Sequence, residues 1–320
     1  MKYLMFLFSL LFFSACQNVS DQNYQATGKI SCIRSLDNRE LCPPAETKVS
    51  LQKKDSLLAI ALRNYEADPA NLENIIWLGR RLAYLWRYQE AIDVFTEGLK
   101  RYPYTAEIYR HRGHRFITLR RFDEAIADFT LAAHFAKNLP LTIEPDGIPN
   151  RLDQPLSNLH FNIYYHWALA YYLQGELDMA RETYHKCMQY SDNPDLKVAV
   201  ADWLYMTLRR LGKDDEAAAL LTGIPAGWEM VENESYHKRI LMYKGLVKPE
   251  ELLDFSKKDV EDQLDLVTQG YGVGNWYLIN GDKVRAKEIF KKILETDHWS
   301  AFGYIAAEAD LTVNAGKWGL

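Results

Sequence analysis

Between Leu72 and Lys137 the chain repeats itself at a spacing of 34 residues: Gly79 returns as Gly113, Ala91 as Ala125 and Phe95 as Phe129. A unit of that length holds two short helices and is too small to bury its own faces, so each copy must stack on the next. The first copy shows how. Ile75, Leu78, Gly79 and Leu82 fall three, one and three residues apart and form one apolar helical stripe, with a glycine where another helix must come close. Arg87, Tyr88 and Gln89 interrupt the pattern, and Glu90-Ala91-Ile92 begins a second stripe through Phe95 and Leu99. Small Ala91 lets the second helix lie on the first, Phe95 fills the space between them, and Pro103 ends the unit because it cannot continue a helix. The expected class is all-α, built from antiparallel helix pairs.

These residues carry a family resemblance. Leu78-Gly79, Ala91, Phe95 and Pro103 in copy one, and Tyr109, Gly113, Phe116, Ala125 and Phe129 in copy two, resemble the tetratricopeptide repeat (TPR), although copy two has Lys137 in place of the closing proline. The register resumes at Phe161 with Tyr164, Trp167-Ala168, Tyr171, Ala180, Tyr184 and Asn193-Pro194. It weakens in a fourth copy (Leu204, Leu208, Ala217, Leu221) and returns with Val273-Gly274, Tyr277, Ala286 and Phe290. The resemblance implies a right-handed TPR solenoid over residues 49–320, with repeats near 72–105, 106–139, 161–194, 198–231 and 267–300. A helix from Val49 to Glu66 is expected to cap the first repeat, and one from Trp299 to Leu311 to cover the exposed end. Residues 228–266 read as helical but out of period.

Ahead of the repeats, residues 1–15 read as a signal peptide, with Lys2 as its charge and Leu4 to Phe13 as an apolar run too short to span a bilayer. Phe13-Ser14-Ala15-Cys16 resembles a bacterial lipobox, which implies acyl chains such as palmitate attached at Cys16. The competing reading is an ordinary signal peptide cut near Ala15, leaving Cys16 a plain thiol; two small residues directly before the cysteine favour lipidation. Gln17 rather than Asp follows it, which by analogy with enteric bacteria favours the outer membrane, on its periplasmic face or at the cell surface. Residues 16–48 are polar and suit a flexible tether. In an oxidising envelope Cys32 and Cys42 within it are expected to pair, with free thiols the alternative; two further ligands for a metal are not evident.

Catalytic constellations are not evident either. Gly270-Tyr-Gly-Val-Gly274 follows no predicted strand and lacks the GxGxxG spacing, so its glycines read as close-packing positions. His111 and His114 share a helical face, but no carboxylate or cysteine completes a zinc set, and neither HExxH nor GxSxG occurs. Cys187 stands where earlier copies have Gly98 and Ala132, and reads as a buried core thiol. No enzyme activity, cofactor or metal is expected. The net charge of −5 shows no global bias and argues against a strongly basic nucleic-acid binder.

What remains is a surface. In TPR proteins the residues beside the packing stripe of each first helix line an inner groove that binds peptides. By register these are Arg80, Arg110 and His114, then Tyr165 and Tyr172, then Tyr271 and Asn275. Arginine pairs carboxylates bidentately and tyrosine offers contact area at low entropic cost, so the expected ligand is an acidic peptide or a C-terminal carboxylate of an envelope protein. The proline-broken insertion at 138–160 (Pro140, Pro145, Gly147, Pro149, Pro155) is either functional or passive. Tyr243-Lys244-Gly245, Pro249 to Phe255, Tyr271 to Leu278, Gly281-Asp282 and Ala286 are similar in layout to the C-terminal part of NlpI-type lipoproteins, which implies an outer-membrane adaptor. The alternative is a SusD-like lipoprotein that captures glycans or small ligands; the lack of aromatics in the insertion argues against it.

Overall fold

Each apolar stripe becomes a helix, and side chains next to it set its ends. The computed structural model describes residues 32–147, 149–253 and 260–320. A two-stranded antiparallel hairpin (β1, Ile33–Arg34; β2, Glu40–Leu41) leads into helix α1 (Lys48–Ala67). Helix pairs follow: α2 (Leu72–Tyr84) with α3 (Tyr88–Arg101), α4 (Ala106–Thr118) with α5 (Phe122–Ala136), α6 (Leu159–Gln174) with α7 (Leu177–Met188), and α8 (Pro194–Arg210) with α9 (Asp214–Thr222). Beyond α10 (Glu234–Tyr243) comes the fifth pair, α11 (Val260–Ile279) with α12 (Lys283–Leu294), and then α13 (Phe302–Leu311) and α14 (Ala315–Trp318). Asparagine opens three of the first helices: Asn71, Asn158 and Asn193 each accept a backbone N–H of the first turn.

All five hairpins turn in the same way. The residue two positions ahead of each second helix is left-handed: Trp86 (φ 63°), Arg120 (62°), Gly175 (76°), Gly212 (69°) and Gly281 (92°). Glycine takes that conformation freely, whereas a residue with a side chain is disfavoured by about 1–2 kcal/mol. The first two repeats nevertheless carry Trp and Arg there, and both side chains have partners far away in sequence.

Packing between paired helices follows the small-residue pattern. A Cβ on Gly79 would collide with the ring of Phe95, which is buried against it. Ala91 and Ala125 are fully buried at the equivalent crossing points. Helix α11 carries Gly270 to Gly274 and uses two of these glycines for close approach. A Cβ on Gly272 would block the Arg239 side chain, and one on Gly274 would block the Phe290 ring, so this run is a packing device. Among the described residues no helix is long and apolar enough to cross a membrane.

The expected plan is modified in three places. Helix α13 does not simply cap the open end: it lies on α11 and α12 and reaches across to α6, and every residue from Gly303 to Asp310 is buried, Glu308 and Asp310 included. The stretch 228–266 is not helical throughout, because residues 223–233 are irregular before α10. Residues 32–47, expected to belong to a flexible tether, lie against the body, with a Cys32–Cys42 disulfide closing the hairpin and Ser35 and Leu41 buried. The signal peptide and Cys16 lie outside the described residues.

Ala125→Glu drives a carboxylate between α4 and α5 where nothing can pair it. Stability is expected to fall by several kcal/mol, with about 3 kcal/mol a reasonable lower figure for an unpaired buried charge. Thermal melting followed by circular dichroism checks this, and an unchanged midpoint would mean the two helices do not cross there.

Candidate functional site

The first helices of the pairs, α2, α4, α6, α8 and α11, neighbour one another and form the inner face of the array. Its amino-terminal half is basic. Arg80 and Arg81 on α2 both sit over the Trp77 ring, at 4.3 and 4.6 Å, and Arg110 and Arg115 follow on α4. Burial lowers the Arg110 and Arg115 guanidiniums below the ordinary arginine value, and in both cases Arg80 nearby lowers them further. Arg115 lies over the Tyr88 ring at 5.7 Å. Arg110 pairs with Glu144 at 2.9 Å, and its Nε has no hydrogen-bond partner.

Three imidazoles continue this surface. His111 stacks on Phe95; His114 and His166 meet at 4.4 Å between ring centres, with Phe302 of α13 at 5.5 Å from each. Glu144 is 3.6 Å from His111, but burial and the Arg110 charge outweigh it and hold that imidazole well below its ordinary pKa. Burial and the Arg115 charge do the same to His114; burial and Arg110 push His166 to about 3. The cluster is therefore neutral and has no group to donate as a proton carrier near neutral pH.

The carboxyl-terminal half of the face is aromatic and already filled. Tyr165 is buried, T-shaped against His166, with its hydroxyl 3.2 Å from that of Tyr236. Tyr172 and Tyr271 bring their hydroxyls to 2.8 Å, and Tyr271 donates to Asp310 of α13 at 2.9 Å. Arg210 pairs bidentately with Asp310 (2.6 and 2.8 Å) and donates from Nε to Asn275, which is fully buried, at 2.6 Å. Of the residues placed in the groove by register, Arg80 and His114 both lie near Arg110, whereas Tyr165, Tyr172, Tyr271 and Asn275 are buried and do not line an open groove, the last three belonging to the network around Arg210 and Asp310.

A second set of contacts ties that helix to the amino-terminal repeats. Arg120, in its left-handed turn, pairs with Glu308 at 2.7 Å and donates to the Trp299 carbonyl at 2.9 Å. Trp86 packs on Trp299 at 5.0 Å between ring centres and donates to Glu46 at 2.9 Å. Trp299 donates from Nε1 to the Cys42 carbonyl at 2.7 Å, and the Leu36 N–H donates to Glu308. The disulfide hairpin, the first two turns and α13 form one closure.

Residues 163–193, nearly all of the α6–α7 hairpin, match the family model described as tetratricopeptide repeat. The fold is a TPR solenoid. No curated protein matches the sequence. Among solved structures, a TPR protein from Parabacteroides merdae is 16% identical, with a TM-score of 0.45 over 81% of this chain and 92% of its own. PilW, a type IV pilus biogenesis factor, is 15% identical with a TM-score of 0.41, over 81% of this chain and 98% of its own. YrrB, a TPR protein with an unusual peptide-binding site, is 12% identical with a TM-score of 0.42, over 73% of this chain and 91% of its own.

Register alone does not reveal several residues of this TPR surface. Arg115, Arg120 and Arg210 stand at or near the ends of first helices, and the partners of the last two, Glu308 and Asp310, lie far away in sequence. One signal was available: Trp86 and Arg120 occupy the turn position that is glycine in the other three repeats.

The buried imidazoles fix a pH dependence. Their folded pKa values lie below the unfolded value of 6.5, so the unfolded chain binds more protons; the stability is present above that pH and is lost as pH falls below it, for His166 toward about 3. His114→Phe, at a ring whose Nδ1 has no partner, should flatten this slope by up to one proton, about 1.4 kcal/mol per pH unit. Urea unfolding at pH 5 and pH 7 measures it, and identical slopes for the two proteins would contradict a neutral His114.

Proposed function

We propose that this chain is a protein-interaction scaffold of the bacterial envelope, held at the outer membrane by acyl chains on Cys16, and that it binds an acidic extended segment of a partner protein. The binding surface is the inner face of repeats one and two. The observation that carries this is the arginine cluster there: Arg80, Arg81, Arg110 and Arg115 gather on two adjacent helices, and the carboxylates that reach them come from a loop, Glu144 by direct pairing and Asp146 through space. Guanidinium groups on rigid helices are preorganised to take carboxylates in pairs. The envelope location rests on the leader and lipobox pattern of residues 1–16.

Full-length protein, solubilised in detergent and immobilised, is expected to retain an envelope protein at low salt and release it as ionic strength screens the contact. The double variant Arg110→Gln with Arg115→Gln should lower recovery by about tenfold or more, as loss of charge-assisted hydrogen bonds does. Quantitative mass spectrometry of the eluate reads this. Equal recovery would remove the arginine surface from the interaction, and a retained glycan with no protein would favour ligand capture instead.

A further inference from the structure

The insertion between repeats two and three does not hang away from the molecule. Leaving α5, the chain from Leu139 to Gly147 crosses the basic inner face and touches three successive first helices. Pro145 gives its carbonyl to Arg80 of α2 at 2.9 Å, and Gly147 gives its carbonyl to Arg81 at 3.4 Å. Glu144 pairs with Arg110 of α4, and the Asn162 side chain of α6 donates to the same carboxylate. Farther on, Asn150 donates to Glu232, and Arg151 donates to the Met230 carbonyl at 3.2 Å, so the strap reaches the irregular segment before α10. That segment is itself fixed, because Asp195 accepts the backbone N–H groups of Val231, Glu232 and Asn233.

The strap meets this face through polar groups. Glu144-Pro145-Asp146-Gly147 meets the arginines with a carboxylate and two carbonyls, the groups an extended acidic peptide would offer. The apolar residues that precede them are largely in water: Leu139, Leu141 and Ile143 are 43, 56 and 47% exposed. The carbonyl contacts of Pro145 and Gly147 lie at a partly wet surface and are each worth about 1 kcal/mol or less. The Glu144–Arg110 pair, with both side chains 12% exposed, is mostly buried, so the strap leaves only for a group that pairs the arginine with another carboxylate. Asp146 is poorly served where it lies, with a buried carboxylate oxygen that has no hydrogen-bond partner.

We infer that residues 139–147 and 149–158 form an autoinhibitory strap, in which Glu144 and the carbonyls of Pro145 and Gly147 stand in for an acidic partner segment and must leave the arginines before that partner binds. This rests on the arginine surface proposed above. A protein whose binding-competent state is a minor one shows an affinity reduced by that fraction, so weakening the strap should tighten binding in trans.

The test supplies the strap's own segment from outside. A labelled peptide of sequence LTIEPDG, residues 141–147, is titrated into the full chain, into Glu144→Gln and into Arg110→Gln, with LTIQPDG as the control. Glu144→Gln is expected to bind about tenfold more tightly than the unaltered protein, a fold-change set by the occupancy of the strap, while Arg110→Gln and the control peptide bind weakly or not at all. A readout that needs no variant accompanies it: trypsin cleavage after exposed Arg151 of the unaltered protein should accelerate at saturating LTIEPDG, as the strap is displaced. Equal affinity for the unaltered protein and Glu144→Gln, with binding still lost in Arg110→Gln and no change in cleavage, would overturn the strap and leave the arginine surface standing. Absence of binding to any variant, with cleavage unchanged, would overturn both.

Discussion

Two carboxylates on one buried helix dictate much of the rest of the molecule. Glu308 and Asp310 of α13 are 0 and 2% exposed, and a carboxylate removed from water survives as an ion only against a cation with its remaining lone pairs satisfied. Arg120 and Arg210 meet that demand from opposite directions, one from the turn of repeat two and the other from the end of α8. Breaking either pair leaves the other charge buried, a loss of about 3–5 kcal/mol, so α13 is effectively locked in place. The left-handed Arg120 becomes intelligible in this light. Its backbone strain of about 1–2 kcal/mol is smaller than the cost of leaving Glu308 unpaired. Trp86 repeats the arrangement at the preceding turn, where its indole is held between Trp299 and Glu46.

That closure divides the inner face into two parts with different physical character. Where α13 lies, apolar and aromatic surfaces interlock around fully buried ion pairs, and the polar groups of Tyr172, Tyr271 and Asn275 are engaged with Arg210 and Asp310. Where the strap lies, the contacts are polar: a mostly buried Glu144–Arg110 pair and carbonyls given to Arg80 and Arg81. The same chemistry, acid on arginine, operates in both places, with two ion pairs and a packed helix behind one occupant and a single ion pair behind the other. The expectation of an acidic ligand thus has two internal counterparts, an acidic helix and an acidic loop.

What was legible from sequence follows the range of the interactions concerned. Gly79, Ala91 and Phe95 report contacts between helices a few residues apart, so their 34-residue recurrence shows the hairpins directly, and each predicted pair has its counterpart among α2 to α12. Arg80, Arg110 and His114 could be placed on one face because register alone decides which way a helical side chain points. The path of α13 could not be read this way. Nothing local distinguishes a terminal helix that covers the end of a stack from one that turns inward, and the distinguishing groups, Glu308 and Asp310, find partners 188 and 100 residues away. Residues 32–47 are a similar case: their polar composition suits a tether, and only the Trp299 and Glu308 contacts reveal that they are docked.

The docked hairpin also bears on how a partner can approach. Cys42 is joined by hydrogen bond to Trp299, and Trp299 packs on Trp86, so the beginning of the described chain, the first repeat and the start of α13 meet at one rim of the solenoid. Arg110 and the strap meet on the middle of α4, and the hydrogen bonds that dock the hairpin run to Trp299 and Glu308 instead. In the proposed binding mode the partner meets the basic surface, while the disulfide and the two buried ion pairs involve other residues. At the arginines that mode exchanges like for like, a partner carboxylate replacing Glu144 on the same guanidinium. Such an exchange is nearly balanced in energy, which places selectivity in the side chains that flank the acid and in the local concentration of the competing segment.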